Sequence, residues 1–153
     1  MRLMMIFLFV LPSVLNAQTK IKTITKTPVS KIKVTTSTVS NTVQQSIDRG
    51  KEVYHKYCLA CHQADGGGVT NLNPPFVQEW AGGNKSRIIR MILKGSKGTV
   101  EIDGDKFSNP MAAQPYLTDQ QLADVLTFVR NNFGVKASPV TAAEVKAVRA
   151  KTK

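Results

Sequence analysis

Two cysteines and a histidine stand within five residues, Cys58-Leu59-Ala60-Cys61-His62. Thiols three apart share one side of a helical turn, and His62, four after Cys58, joins them there. At this Cys-x-x-Cys-His spacing two thiols can add to the vinyl groups of a haem as thioethers, while the imidazole reaches the iron. A dithiol redox site is the main rival, although the residues before Cys58 read as helix and not as the strand of a βαβ unit. A zinc site would need four ligands, and the whole chain has two Cys and two His. The other histidine, His55, forms no second cluster. A bare disulfide would have no use for His62.

A cofactor held from one face needs something on the other. Met91 and Met111 are the two methionines beyond residue 17. Met91 sits among Ile89, Ile92 and Leu93 and reads as core filler in a helix. Met111 lies in a Pro-flanked loop, 108–115, from which a thioether can approach the iron opposite His62. His55, a lysine or an open position are the alternatives.

The elements that must position these groups can be read in turn. Ile47, Gly50, Val53, Tyr54 and Tyr57 form a stripe of helical period, which predicts a helix opening at Ser46 as N-cap with Asp48 in its first turn. Gly50 inside a helix costs up to about 1 kcal/mol relative to Ala and implies close approach to a second helix, with Tyr54 packing beside it. Gly66-Gly67-Gly68 let the chain turn around a flat cofactor; no Lys-Ser/Thr follows to make a phosphate loop. The carbonyl of Pro74 or Pro75 can accept the second N–H of an iron-bound histidine, and Phe76 and Trp80 offer large apolar faces. Asn84 caps a helix over 85–94 that Gly95 closes. Residues 99–107 read as a hairpin around an Asp103-Gly104 I′ turn. Thr118 and Gln121 form a capping box, stapled by Leu117 and Leu122, for a helix running to about Phe133 and stopping at Gly134. Thr141 and Glu144 open a last short helix that docks lightly or frays.

Charge is unevenly placed in a chain of net charge +11. Residues 18–45 hold five Lys and no acid, whereas residues 46–134 hold ten bases against nine acids. The basic ends lack interleaved aromatics, which argues against nucleic acid. Arg2, the apolar run 3–15 and Ala17 read as an export signal, too short for the ~20 residues of a membrane span. The expected organisation is therefore a signal peptide over 1–17, a basic Thr/Lys-rich linker over 18–45, a globular domain over 46–134 and a basic tail over 135–153. Periplasmic export is expected, with an uncleaved anchor the lesser alternative and no stable membrane span.

In order, a helix with Gly50 and Tyr54, the Cys58–His62 pentapeptide, Pro74-Pro75-Phe76, a middle helix, a Met loop and a capped C-terminal helix resemble a class I cytochrome c. The resemblance covers residues 46–134 and is nearest to the small bacterial cytochromes that accompany periplasmic dehydrogenases. It implies an all-α fold with crossed N- and C-terminal helices, a middle helix and a short β-hairpin around one haem. It also implies haem c attached at Cys58 and Cys61, with iron bound by His62 and Met111. The family often places Pro after this Met, where Ala112 stands here. The implied function is one-electron transfer, not enzymatic catalysis, between a periplasmic donor such as a dehydrogenase and a respiratory acceptor such as a terminal oxidase. The alternative is a haem enzyme or gas-binding protein with a labile distal ligand.

Overall fold

The computed structural model describes residues 36–152, with side chains from residue 42 onward. The expected signal peptide and most of the expected linker lie outside these residues. Helix α1 (Thr36–Tyr57) starts well before Ser46. Residues 36–45 hold neither Pro nor Gly, so nothing stops the helix from extending backward through this polar stretch. Helix α1 thus takes in residues 36–45, the last part of the expected linker. Ser46 caps nothing; its hydroxyl donates to Asp124 Oδ1 at 2.5 Å.

Two one-turn helices follow, α2 (Leu59–His62) and α3 (Gln78–Ala81), and then α4 (Lys85–Lys94). Asn84 caps α4 by accepting from the Arg87 amide at 3.0 Å, and Ile88, Ile89 and Leu93 are buried on its inner side. Strands β1 (Val100–Ile102) and β2 (Asp105–Phe107) pair antiparallel with Ile102 opposite Asp105. Their turn has positive φ at both Asp103 and Gly104, as the I′ geometry requires. Ile102 and Phe107 face inward and are buried.

Helix α5 (Asp119–Val129) carries the expected capping box at Thr118 and Gln121. It ends at Val129, short of Phe133, where the chain turns at φ 55° and returns the Phe133 ring to Tyr54, 5.3 Å between centroids. α1 and α5 cross at Gly50. A Cβ there would stand 2.1 Å from the Asp124 carbonyl oxygen and 2.8 Å from Phe128 Cβ, so only a residue without one lets the helices meet. Tyr54 fills the next turn against Phe128, 5.3 Å between ring centroids. Beside the crossing, Arg49 Nε donates to Asp124 Oδ2 at 2.7 Å and Gln120 Nε2 to Oδ1 at 2.9 Å.

Helix α6 (Ala142–Ala150) opens with the second expected capping box. The light docking foreseen for the tail understates what it does. Val140, Val145 and Val148 are core residues, Thr127 Oγ1 accepts from the Val140 amide at 3.0 Å, and Arg149 pairs with Asp119 at 2.7 Å. Lys85 on α4 pairs with Glu144 at 2.9 Å. Arg130, buried just past α5, donates to the carbonyls of Ala81 (2.8 Å), Gly83 (3.0 Å) and Ser138 (2.8 Å), tying the end of α3 to the tail. Among the described residues no helix is long and apolar enough to cross a membrane.

Candidate haem site

Cys58 sits at the joint of α1 and α2. Its amide donates to Tyr54 O at 2.9 Å, and its carbonyl accepts from the amides of Cys61 (3.2 Å) and His62 (2.9 Å). That single turn brings Cys58, Cys61 and His62 to one cleft, and Met111 lines the same cleft. Phe76, Trp80, Ile92 and Phe107 contribute to its apolar walls. Its empty space, open mouth included, is about 1440 Å³.

His62 lies against Phe76, rings stacked at 4.4 Å. Burial pushes its pKa below the ordinary value, with the Pro74 carbonyl pulling the other way. Of the two prolines weighed, Pro74 is thus the one acting on the ring, yet it closes no full hydrogen bond, and Nδ1 is buried without a partner. Buried polar atoms without partners are rare. A neutral imidazole in this state fits a metal ligand, one nitrogen free for iron and the other oriented by a nearby carbonyl. The residues present therefore fit a covalently held haem.

The thiols point the same way. Burial, with Cys61 adding to it, pushes the Cys58 thiol up to about 11, whereas dithiol redox sites work with a lowered thiol pKa. The two cysteines are unbridged.

On the opposite side, the Met loop is clasped at both ends. Met111 O accepts from the Ser96 amide at 3.0 Å, and Gln114 N donates to Ile92 O at 2.8 Å. Asn109 donates through its amide to Leu72 O at 3.0 Å and through Nδ2 to Asn73 Oδ1 at 2.7 Å. Gly95 does more than close α4: its φ is 73°, and a Cβ would lie 2.4 Å from Met111 O. Sequence reasoning missed Ser96, Asn73 and Asn109; the one hint was a Gly-Ser pair directly after a helix, which also fits an ordinary loop. Met91 lines the cleft as well, and His55 is exposed outside it. The Trp80 ring is covered by the Arg87 guanidinium at 4.2 Å. At the surface, Leu72 (49 % exposed) and Tyr116 (61 % exposed) are the large apolar side chains left to solvent among the described residues, and Ala112 and Ala113 are exposed too.

Known proteins bear on this site. The cytochrome c family model matches residues 47–133. The chain is 33 % identical over 112 residues to cytochrome c-552 of Thermus thermophilus, a match spanning 67 % of this chain and 85 % of that protein. It is 33 % identical over 111 residues to the cytochrome c subunit of alcohol dehydrogenase (quinone) from Gluconacetobacter polyoxogenes, covering 65 % of this chain but 22 % of that one. The fructose dehydrogenase cytochrome subunit of Gluconobacter japonicus is 34 % identical over 117 residues, 72 % of this chain and 24 % of the subunit. With the helical architecture and the cleft already described, these matches settle the family: the chain belongs to the cytochrome c family, whose members carry covalently bound haem c with its iron and transport electrons.

Proposed function

We propose that the chain is an exported mono-haem electron carrier in which Cys58 and Cys61 form the thioethers, His62 is the proximal ligand and Met111 the distal one. The observation that carries the reading is the meeting of these four residues on one apolar cleft, with His62 buried and its Nδ1 unpartnered. When bound, the haem supplies a one-electron iron couple. His62 and Met111 would both hold the iron, and with the two in place the haem would serve as a carrier of electrons and not as a site for substrate. Both ligands are neutral, and the apolar walls disfavour extra charge, so the chain raises the potential toward the reduced state. The cleft's apolar residues also exclude water from the iron.

Residues 1–17 serve as the export signal and place the mature chain in the periplasm. Partners dock beside Cys58, Cys61 and Ala112-Ala113, burying under about 1,200 Å² as redox encounters do. The relatives that are dehydrogenase cytochrome subunits favour a periplasmic dehydrogenase as donor, with a respiratory acceptor such as a terminal oxidase downstream.

The test is the visible spectrum of ferric holoprotein. Met111→Leu abolishes the weak long-wavelength band of methionine–iron ligation, and Met91→Leu leaves it in place. The reverse pattern overturns the distal assignment. Haem released by acid–acetone overturns the thioethers, and carbon monoxide binding to untreated ferrous protein turns the reading toward the gas-binding alternative.

A further inference from the structure

The chain leaves α2 through Gln63 at φ 61° and ψ 170°, a region that residues with a Cβ adopt only when their surroundings force them. This is the residue directly after His62. Two contacts hold it from within its own turn: its amide donates to Leu59 O at 2.9 Å, and its Nε2 donates to Ala60 O at 3.2 Å. A third comes from the core, where Tyr54 Oη donates to the Gln63 carbonyl at 2.6 Å.

Tyr54 is 1 % exposed. Its ring is fixed among Phe128 and Phe133, each 5.3 Å away, and Phe76 at 6.2 Å. Phe76 is the ring stacked on His62. Tyr54 thus bears on the histidine by two routes, through Phe76 with its ring and through Gln63 with its hydroxyl. The ring alone explains the packing at the helix crossing, and a phenylalanine would supply it. The hydroxyl meets the one carbonyl that follows the histidine in a strained backbone, and among the described residues α2, a single turn, has no other bond of this kind to the α1–α5 core.

We infer that Tyr54 is a positioning residue for His62: its hydroxyl holds Gln63 in the strained conformation and so keeps the imidazole directed into the cleft. The inference rests on His62 being the proximal ligand. Without the hydroxyl, Gln63 relaxes and the ring gains freedom to turn, which alters its bond to iron as the loss of a ligand's orienting partners does.

The experiment compares holoprotein with its Tyr54→Phe, Gln63→Gly and doubly substituted forms by reduction potential, by paramagnetic NMR of the ferric state and by amide exchange. Tyr54→Phe is expected to shift the potential and the haem-methyl resonances and to speed exchange around Gln63 about tenfold, the worth of one hydrogen bond. Gln63→Gly removes the strain, so adding Tyr54→Phe to it should move these readouts less. Tyr54→Phe protein that is merely less stable, with potential and haem-methyl shifts unchanged, overturns the inference; so does an equal response in both backgrounds. The unsubstituted ferric protein separates the two possible failures. His62 ring protons without strong paramagnetic shifts would remove the ligand assignment and this inference together. Strongly shifted ring protons beside a silent Tyr54→Phe would remove the inference alone.

Discussion

Gly50→Ala sets two physical effects against each other with opposite signs. Helix propensity favours the change by about 1 kcal/mol. The crossing opposes it, because the new Cβ would fall 2.1 Å from the Asp124 carbonyl oxygen, 2.6 Å from its carbon and 2.8 Å from Phe128 Cβ. Two of those atoms are helix backbone and cannot swing aside, so α1 and α5 must separate. Overpacking of this kind costs up to about 3 kcal/mol. Separation also loosens the Tyr54–Phe128 contact at 5.3 Å, a pair of a type worth about 1 kcal/mol. The net loss expected is about 3 kcal/mol once the propensity gain is set against these costs. For a domain of this size that is a fall in Tm of roughly 10–20 °C. Guanidinium unfolding of the ferric holoprotein, followed by far-UV circular dichroism, measures it, with the covalent haem retained in both states. A variant as stable as the parent, or more so, would refute the claim that the crossing demands a residue without a side chain.

Other perturbations test other parts. Arg49→Ala strands the Asp124 carboxylate, whose side chain is 3 % exposed against 53 % for Arg49, and should cost about 1–3 kcal/mol at pH 7. Burial alone would raise the Asp124 pKa, but hydrogen bonds from Arg49, Ser46 and Gln120 outweigh it and hold the carboxyl below its usual range. The pair's contribution is therefore full above the unfolded value near 4 and is lost as pH falls through the lower folded value, so denaturation curves of parent and variant should converge in acid. Gly95→Ala, blocked both by φ 73° and by Met111 O at 2.4 Å, should weaken the methionine–iron band in ferric spectra while haem stays attached. Val145→Ala, at a fully buried site of α6, should cost about 2 kcal/mol in chemical unfolding; a loss near zero would mean α6 is dispensable. Residues 46–134 are nearly charge-balanced, so electron transfer to a partner should slow less than about threefold between low and high salt in stopped-flow measurements.

What could be read in advance divides by the range of the interaction that fixes it. The pentapeptide at Cys58–His62, the caps at Asn84, Thr118 and Thr141 and the Asp103-Gly104 turn are set by neighbours within four residues, and each occurs where local chemistry puts it. The start of α1 at Thr36 lacked any such local mark, since a polar stretch without Gly or Pro suits helix and linker alike. The Arg49–Asp124 pair joins residues 75 apart, and the packing of Val145 against the core depends on a return of the chain that no periodicity announces. The candidate site divides in the same way. Its cysteine–histidine half is built inside one helical turn and, on the proposed reading, would be held to haem by covalent bonds. Its methionine half exists only because Ser96, Gln114 and Asn109 clasp a loop to two distant segments. A loop held by a few hydrogen bonds opens at lower free energy than the core around it. Heat or denaturant should therefore release Met111 before α1 and α5 part, and the methionine–iron band should vanish ahead of the helical signal.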